Sequence, residues 1–266
     1  MLGYIPTDRK PENLWTIQKD DEELQGVPVP VSIDWRERHT VTPVKDQGQC
    51  GSCWTFATVA VLEGAHARNT GQLLSFSEQL FVNCVVNITD YGYNSMGDLP
   101  DCCYGCSGGD YDASFAWAGN NSIYLVLEAD MRYTMNNGTC NYESSGKTRV
   151  QVESYTDIPA NTPAYMKIAL SHQPIGVGID AAQMPFQTYH GGIMTSTDCY
   201  VSQDHAVTAV GYGVSPSGME FWIVKNSWGN SWGENGYIRI QNTGNNDAGI
   251  CGINMSTSFA TTITSD

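Results

Sequence analysis

Nine cysteines constrain this chain of 266 residues more than any other feature, because each either forms a cross-link or carries a reactive thiol. They are Cys50, Cys53, Cys84, Cys102, Cys103, Cys106, Cys140, Cys199 and Cys251. Nine is odd, so eight can pair and leave one free thiol. So many cysteines favour an oxidising compartment, once a metal site is excluded. The sequence therefore predicts a disulfide-bonded domain.

The charge of the chain excludes several classes of partner. Its 13 Lys and Arg residues and 28 Asp and Glu residues give a formal net charge of −15. An anionic chain cannot neutralise phosphates, so we expect neither nucleic acid nor an anionic membrane surface as a partner. The longest apolar stretch, around Cys53–Leu62, is far shorter than the roughly 20 residues that cross a bilayer. Apolar residues still make up 41% of the chain, enough for a substantial core.

Apolar spacing divides the chain into a helical first half and a strand-rich second half. Residues three and four apart predict helices over Cys53–Arg68, Ser77–Cys84 and Tyr111–Ala118, and residues 85–103 have the composition of a loop. Alternating or β-rich runs predict strands at Arg149–Tyr155, Ile175–Ile179, Ala206–Tyr212, Glu220–Lys225 and Gly236–Gln241. The pattern indicates an α+β protein of two lobes.

Cys53 is the cysteine whose context favours chemistry. It follows the glycine-containing segment Gln47–Ser52 and begins the first predicted helix. The N–H groups and the positive dipole at a helix N-terminus stabilise a thiolate, the nucleophilic form of cysteine. They can also donate to an oxyanion on an attacked carbonyl group. The alternative is a disulfide-bonded or buried cysteine, as most cysteines are.

A catalytic thiolate needs a base and an orienting group. Of the five histidines, His205 differs because it begins a strand-like run of small apolar residues, which can hold an imidazole rigidly. Asn226 follows the apolar run Phe221–Val224, and its side-chain oxygen could set the orientation of the histidine ring. Trp228 could shield that hydrogen bond from water, or could be a core tryptophan.

These residues lie in motifs that resemble the papain family of cysteine proteases: CGSCW at Cys50–Trp54, DHA at Asp204–Ala206 and NSWG at Asn226–Gly229. Further matching segments recur in order: Asp34–Arg36, Val41–Lys45, Ser77–Leu80, Cys106–Gly109, Gln173–Pro174 and Gly191–Ile193. The match covers about residues 29–258. It implies a papain-like fold with a helical lobe at about 35–147, a β-barrel-like lobe at about 148–250 and a cleft between them. Residues 259–266 would form a C-terminal tail.

The resemblance implies a cysteine endopeptidase that hydrolyses peptide bonds through a thioester at Cys53. His205 would form an ion pair with Cys53 in the resting enzyme and later act as general acid, and Asn226 would orient His205. The side-chain amide of Gln47 would complete the oxyanion hole. The substrate-binding residues would be Gly108, Gly109, Tyr111, Gly178, Ala206, Trp228 and Ser256. No cofactor and no metal are implied.

The pocket for the second residue upstream of the cut would, by the same resemblance, be enclosed by Tyr111, Gly178, Ala206 and Ser256. The family usually has Pro or Met at the position of Tyr111. We expect bulky apolar residues such as Leu or Phe in this pocket, because it has no acid at its floor. Asp110 and Asp112 flank it, and either favour a basic residue one position further out or are solvated surface charges.

The resemblance also implies three disulfides, Cys50–Cys106, Cys84–Cys140 and Cys199–Cys251, with Cys53 free. Cys102 and Cys103 then bond to each other, displace another pairing or stay reduced; a bond between sequence neighbours is strained. Residues 85–103 would be an insertion. The segment Gly109–Cys140 contains no histidine, unlike the occluding loop of cathepsin B-like exopeptidases, so the cleft should be open on its leaving-group side.

Three other functions compete with a protease. Cys50 and Cys53 form a C-x-x-C motif, as in thiol–disulfide oxidoreductases, but no βαβ unit surrounds it. Cys102, Cys103 and Cys106 could bind zinc, although no further set of ligands completes the site. An inactive papain-like homologue could serve as a binding or storage protein, although no catalytic position is substituted.

Residues 1–28 differ in composition from the rest and resemble the tail of an inhibitory propeptide, which in this family runs through the cleft in the direction opposite to substrate. Trimming is expected near Gly26–Pro30; a permanent extension or an expression artefact are the alternatives. The expected partners are protein or peptide substrates, the propeptide and cystatin-like inhibitors, and the expected state is a monomer. We expect the lysosome, vacuole or extracellular space, weakly supported by N-glycosylation sequons at Asn87, Asn120, Asn137 and Asn254.

Overall fold

A computed structural model describes residues 2–6, 29–88, 102–195 and 199–265, apart from the side chains of Asn87, Ile88 and Ser144. The described residues form five α-helices: α1 Cys53–Thr70, α2 Glu78–Cys84, α3 Tyr111–Asn120, α4 Pro163–His172 and α5 Met184–Gln187. The first three agree with the helices predicted from apolar spacing, and Ser77 caps α2 by accepting a hydrogen bond from the backbone of Leu80. None of these helices is both long enough and apolar enough to cross a membrane.

Most of the strands lie in the second half of the chain, as its β-rich runs predict. They are β1 Ile33–Asp34, β2 Val86–Ile88, β3 Cys102–Tyr104, β4 Tyr124–Val126, β5 Lys147–Ile158, β6 Ile175–Ile179, β7 Ile193–Met194, β8 His205–Val214, β9 Glu220–Lys225, β10 Tyr237–Gln241 and β11 Thr257–Thr264. The large sheet has the order β4-β5-β11-β6-β8-β9-β10-β7, with β1 paired to β8. All pairs are antiparallel except β10 with β7.

The C-terminal tail expected over residues 259–266 is wrong. Thr257–Thr264 forms β11, which pairs with β5 on one side and with β6 on the other. Ala260 on this strand is fully buried, and Phe259 packs against both apolar cores. The end of the chain is therefore an interior strand that joins the two halves of the sheet.

The apolar side chains form two cores, one for each lobe. The first surrounds α1, with Trp54, Leu62 and Phe81 among its members. The second lies between the large sheet and α4, and includes Trp222. Helix α1 packs against α2 and α3 of its own lobe and against β8 and β11 of the other. Because it touches both lobes, it is buried on nearly all sides, and its N-terminus lies where the lobes meet.

A buried charge cluster also connects the lobes. The ammonium of Lys45 lies 3.1 Å from the Glu63 carboxylate and 2.6 Å from that of Glu78. Thr42 donates to Glu63 over 2.5 Å and accepts a hydrogen bond from Lys225, on β9 of the second lobe, over 3.0 Å. Burial lowers the pKa of Lys225 to about 8, although Glu63 opposes this change. Buried charges of this kind need every partner, so removing one is costly.

The disulfides use eight of the nine cysteines. Cys50 pairs with Cys106, Cys84 with Cys140, and Cys199 with Cys251, the pairings that the resemblance implies. Cys102 bonds to its neighbour Cys103, which was one of the three alternatives left open. Cys53 is the free cysteine, and it is buried. The thiols needed for a zinc site at Cys102, Cys103 and Cys106 are therefore consumed.

Strands β2 and β3 lie at the two ends of residues 85–103, the region expected to be an insertion. They pair with each other in a separate two-stranded sheet, and residues 89–101 between them lie outside the described part of the chain. Among the described residues, no group of three or more His, Cys, Asp or Glu side chains is arranged to hold a metal ion.

Glu78 should make folding stability depend on pH. Burial raises the pKa of its carboxyl from 4.5 to about 7, even though Lys45 opposes the change. Between about 4.5 and about 7 the folded chain holds a proton that the unfolded chain has released, so the free energy of unfolding should fall as pH rises through this interval. The variant Glu78→Gln cannot titrate, and its stability should decline less over the same interval. Urea unfolding at several pH values measures both slopes.

Glu143→Gln is the matched control. Its carboxylate pairs with Lys147 at 3.0 Å on the surface and is 88% exposed. A surface pair of this kind contributes about 0–1 kcal/mol, so this variant should keep the wild-type slope. An unchanged slope in Glu78→Gln would contradict the assignment of the pH dependence to Glu78.

Candidate active site

Cys53 begins α1, at the boundary between the lobes. Its side chain is fully buried, and its thiol interacts with the backbone N–H groups of Ala206, Gly3 and Trp54. The chain reaches this helix through Ser52, whose carbonyl accepts from the Thr55 N–H over 2.9 Å in the first turn. The sulfur therefore lies beside the unpaired donors of a helix N-terminus, as the sequence predicts.

His205 begins β8 and precedes Ala206, whose backbone reaches the Cys53 thiol. Its Nε2 lies 2.8 Å from Oδ1 of Asn226. The same Oδ1 accepts the Ser227 N–H at 2.7 Å, which identifies it as the amide oxygen. Nε2 must therefore carry a proton and donate it. In the neutral ring Nδ1 is then the basic nitrogen, and it has no hydrogen-bond partner among the described residues.

An aromatic cluster covers the hydrogen bond between His205 and Asn226. The ring of Trp228 lies 4.9 Å from that of His205, at an angle of 31°. Phe186 contacts both rings edge-on, at 6.4 Å from His205 and 5.5 Å from Trp228. The ring of Trp228 therefore lies where it could shield the hydrogen bond, and it also packs against the second core, so both roles that the sequence left open stay compatible with the structure. Excluding water strengthens the bond that orients the imidazole.

Burial controls the ionisation of the pair in this structure. It raises the pKa of the Cys53 thiol from 9.0 to about 11, although the backbone N–H groups around it oppose the change. Burial also lowers the pKa of His205 from 6.5 to about 4, against the effect of its hydrogen bond to Asn226. In this covered state burial therefore disfavours the charged form of both side chains. The ion pair expected for the resting enzyme stays a prediction.

Gln47 lies next to this pair and is fully buried. Its Oε1 accepts from the Ser227 hydroxyl over 2.7 Å, and its Nε2 donates to the Cys50 carbonyl over 2.9 Å. Because Oε1 is held by Ser227, the amide nitrogen is held on the side of the loop that leads into α1. The role of this amide in the oxyanion hole stays a prediction.

Gly108 and Gly109 form one wall of the cleft. A Cβ on Gly109 would lie 2.6 Å from the ring of Trp54 and 3.1 Å from Sγ of Cys103, so only glycine fits. Gly108 has a φ of 121°, a conformation that also favours glycine. The Cys102–Cys103 disulfide and Trp54 thus support this wall from behind.

Residues 2–6 cover the cleft. The Gly109 N–H donates to the Gly3 carbonyl over 2.9 Å, and the Ile5 N–H donates to the Gly109 carbonyl over 3.0 Å. On the other side, the N–H groups of Gly3 and Tyr4 both donate to the Asp204 carbonyl. Tyr4 forms a parallel bridge with Gly109. The segment therefore lies between the two walls and bonds to the backbone of both.

The side chain of Tyr4 fills the pocket predicted for the second upstream residue. Its ring stacks on Tyr111 with centroids 5.3 Å apart. A Cβ on Gly178 would lie 2.6 Å from the Tyr4 ring, and Ala206 belongs to the same apolar cluster. The Tyr111 hydroxyl donates to the Ser256 carbonyl over 2.7 Å, which brings Ser256 to the same pocket. The structure therefore brings together all four residues assigned to this pocket.

The interpretation of Asp110 and Asp112 as solvated surface charges is wrong. Asp110 is buried and caps α3, since its carboxylate accepts from the Asp112 N–H over 2.9 Å. The Asp112 carboxylate accepts a hydrogen bond from Ser258. Both carboxylates therefore contribute to the fold beneath the pocket.

The asparagines of the predicted glycosylation sequons differ in their exposure to solvent. Asn120 and Asn137 are exposed, whereas Asn254 is buried and donates to the Asp247 carbonyl, so it is not accessible in the folded chain. The side chain of Asn87 lies outside the described part of the structure. Glycosylation at Asn87, Asn120 and Asn137 stays a prediction.

Several residues of the site were not identified from the sequence. Ser227 orients both Asn226 and Gln47, and it lies inside the NSWG motif, where its position was the available signal. Asp204 acts through its backbone carbonyl, which no side-chain pattern reveals. Phe186 contributes through packing across the chain and carries no local signal.

Known proteins match the chain over most of its length. A model of the papain family cysteine proteases matches residues 29–261. The chain is 41% identical over 241 residues to cysteine endopeptidase RepA of Oryza sativa subsp. japonica. The aligned region covers 90% of this chain and 58% of RepA. More generally, it spans about three fifths of the length of the curated relatives it matches.

Solved structures share the fold. The structure of the bromelain protease of Ananas comosus, in complex with the E64 inhibitor, superposes with a TM-score of 0.77 and 36% sequence identity. The match covers 87% of this chain and 99% of the bromelain chain. The structure of a recombinant stem bromelain precursor superposes with a TM-score of 0.82 and 34% sequence identity. That match covers 98% of this chain and 76% of the precursor chain. The sequence match and the two-lobe α+β architecture agree, and the chain belongs to the papain family of cysteine proteases.

Proposed function

We propose that this chain is a cysteine endopeptidase whose nucleophile is Cys53. The observation that carries the proposal is a free cysteine at a helix N-terminus whose thiol contacts the backbone of Ala206, next in sequence to a histidine whose Nε2 donates to a buried asparagine. Relatives with this family match are named cysteine endopeptidases, which supports the same activity.

The chemistry follows from the atoms in the site. Nδ1 of His205 takes the proton of the Cys53 thiol, and the thiolate attacks the carbonyl carbon of the peptide bond. The oxyanion accepts hydrogen bonds from the Cys53 N–H and the Gln47 amide. The His205 imidazolium then donates its proton to the leaving amine, which leaves a thioester. Water attacks the thioester with His205 as base, and this restores the thiol and releases the acid.

The competing functions have less support. A C-x-x-C redox site needs a disulfide that opens and closes between Cys50 and Cys53, but Cys50 is bonded to Cys106. An inactive homologue would be expected to lose one of its catalytic side chains, and Cys53, His205, Asn226 and Gln47 are all present. We therefore retain the endopeptidase.

We also propose that residues 1–28 contribute the tail of an inhibitory segment. The support is the occupation of the cleft by residues 2–6, which hydrogen-bond to Gly109 and Asp204 and place Tyr4 in the pocket. The parallel pairing with Gly109 agrees with a chain direction opposite to that of substrate. Trimming near Gly26–Pro30 would remove it; residues 7–28 lie outside the described part of the structure.

The remaining partners and the compartment follow from the same proposal. Protein and peptide substrates would enter the cleft once residues 2–6 leave, and cystatin-like inhibitors would compete for it. Four disulfides suit an oxidising compartment, so we propose the secretory route to a lysosome, a vacuole or the extracellular space. We propose a monomeric enzyme.

Cys53→Ala should abolish peptide hydrolysis and leave the chain folded. The substitution removes the nucleophile, so kcat/KM for a fluorogenic peptide should fall by at least about a thousandfold. Wild type and variant are first incubated with a thiol at mildly acidic pH, and circular dichroism monitors folding. A purified variant that still cleaves the peptide would exclude the proposed mechanism.

Asn226→Ala should reduce kcat/KM less than Cys53→Ala. Asn226 acts by orienting His205, and general acid–base catalysis as a whole contributes about 10²–10⁴-fold, so we expect a loss of about 10- to 100-fold. The pH dependence of kcat/KM should also shift, because the hydrogen bond that His205 donates to Asn226 supports the protonated imidazole. Asn245→Ala, an exposed asparagine, is the control. Equal activity in both variants would contradict the role given to Asn226.

Tyr4→Ala should expose Cys53 to alkylation. Burying an aromatic ring contributes about 1.5–3 kcal/mol, so its loss should loosen the segment and accelerate reaction with iodoacetamide by about tenfold or more. Mass mapping of the full chain at neutral pH measures the labelled fraction of Cys53 over time. Pro6→Ala is the matched control, because Pro6 lies in the same segment but is exposed. Equal rates of Cys53 alkylation in the two variants would show that Tyr4 does not hold residues 2–6 over the cleft.

A further inference from the structure

Gly109 offers both of its backbone polar groups to a chain that lies in the cleft. Its N–H donates to the Gly3 carbonyl over 2.9 Å, and its carbonyl accepts from the Ile5 N–H over 3.0 Å. An extended substrate at this wall would use the same two groups, because glycine has no others. The position of this residue therefore affects how tightly a chain binds, and it has no side chain of its own to fix that position.

Two side chains behind Gly109 hold it in place. A Cβ on Gly109 would lie 2.6 Å from the ring of Trp54 and 3.1 Å from Sγ of Cys103, so the backbone packs directly on both. The Trp54 ring is itself held by a hydrogen bond from its Nε1 to the Gly105 carbonyl over 3.2 Å. The Cys103 sulfur also lies 4.0 Å from the carbonyl oxygen of Asp110. This sulfur therefore packs against two consecutive residues of the wall.

Cys103 is held in a conformation that few residues adopt. Its φ of 83° lies in the left-handed region, where a side chain other than that of glycine costs free energy and persists only if its surroundings impose it. Its neighbours Cys102 and Tyr104 are the two residues of β3 that pair with β2. The bond to Cys102 ties the Cys103 sulfur to this strand, and both cysteines are buried. The disulfide thus prevents the sulfur from turning away from the wall.

Global stability does not account for this bond. In the chain-entropy description, a disulfide stabilises a fold by restricting the unfolded chain, and the effect grows with the length of the loop that it closes. Three of the disulfides join residues that are 52 to 56 positions apart in sequence. The bond between Cys102 and Cys103 joins neighbours, so it restricts the unfolded chain least. Its contribution is therefore expected to be local.

We propose that the Cys102–Cys103 disulfide is a positioning element for substrate, because it holds the Cys103 sulfur behind Gly109 and so determines how tightly the cleft binds the backbone of a chain. The inference rests on the proposed endopeptidase function, and it gives the disulfide no part in the chemistry at Cys53. Loss of the bond should weaken the binding of every chain that pairs with Gly109, which includes both substrate and residues 2–6.

Cys102→Ala breaks the bond but leaves the Cys103 sulfur in the chain. Its KM for a fluorogenic peptide should rise by about 2- to 10-fold, the cost of weakening one backbone hydrogen bond, while kcat per active site stays within about twofold. The full chain is activated with a monothiol at mildly acidic pH, and active sites are titrated with an epoxide inhibitor. Non-reducing peptide mapping checks that the wild type keeps its Cys102–Cys103 bond. An unchanged KM, or a loss confined to kcat, would overturn the inference.

Cys103→Ala removes the sulfur as well as the bond, and its KM should rise at least as much as that of Cys102→Ala. A rise in Cys103→Ala alone would show that packing of the sulfur is sufficient without the bond, and the inference would be wrong. Circular dichroism checks that both variants fold. Failure of Cys102→Ala to fold would also overturn the inference, because the bond would then have a global role.

A second disulfide of the same lobe provides the matched control. Cys84 lies at the end of α2, and its bond to Cys140 spans 56 residues. Cys84→Ala combined with Cys140→Ala should lower the midpoint of thermal unfolding more than Cys102→Ala does, because a longer loop is released, and should keep the wild-type KM. An equal rise of KM in the control and in Cys102→Ala would indicate a general loosening of the lobe and would reject the positioning role.

Hydrogen exchange tests the inference without catalysis. A Cys53→Ala background prevents self-cleavage, and residues 2–6 then report on Gly109 in place of substrate. Adding Cys102→Ala should accelerate exchange of the Gly109 and Ile5 amides by about 2- to 10-fold, measured by NMR, because the hydrogen bonds between them weaken. The amides that pair β8 with β9 should keep their rates. Faster exchange at Gly109 and Ile5 supports the positioning role even if no peptide is cleaved, and unchanged exchange at both rejects it.

Discussion

The position of the α1 N-terminus between the lobes is the constraint on which the rest of the site depends. Helix α1 belongs to the first core, but it also packs against β8 and β11 of the second lobe. Cys53 therefore lies next to the beginning of β8, where His205 stands and where the Ala206 backbone contacts the thiol. The charge cluster of Lys45, Glu63 and Lys225 holds the same interface from within. The packing of α1 against both lobes therefore holds Cys53 close to the beginning of β8.

Ser227 hydrogen-bonds to two of the side chains at this interface, Asn226 and Gln47. Ser227 donates its N–H to Asn226 and its hydroxyl to Gln47, so the orientation of the histidine partner and that of the proposed oxyanion donor share one support. Asn226 can then accept from His205 only through its oxygen, which determines the tautomer of the ring. The backbone of Gln47 donates in turn to the Ser227 carbonyl over 2.9 Å. The segment before α1 and the segment after β9 are thereby locked together, and the groups proposed to act on one carbonyl are held by one connected network.

Local patterns predicted the parts of the molecule whose structure is local. Helix α1 and strands β6, β8 and β9 follow from runs of apolar residues, and Cys53, His205 and Asn226 were assigned to their roles from motifs at the ends of such runs. Strand β11 was missed because its Thr and Ser residues have no strong apolar alternation, and its burial comes from pairing with β5 over 100 residues away in sequence. The hydrogen bond from the Tyr111 hydroxyl to the Ser256 carbonyl was missed for a similar reason, because the two residues are 145 apart in sequence.

The motifs that contain Cys53 and His205 do not determine whether the two side chains are charged, because burial also affects their pKa values. Both pKa values are displaced chiefly by burial, and both displacements disfavour the charged form. Residues 2–6 contribute to that burial, since Gly3 contacts the thiol and Tyr4 closes the pocket beside it. When water replaces this segment, the desolvation free energy that disfavours the Cys53 thiolate decreases, and so does the one that disfavours the His205 imidazolium. Displacement of residues 2–6 would therefore move the pKa values of Cys53 and His205 toward each other, in the direction that favours transfer of the proton from sulfur to nitrogen. A segment of five residues can thus favour the neutral form of both groups by excluding water, without distorting the hydrogen bond between His205 and Asn226.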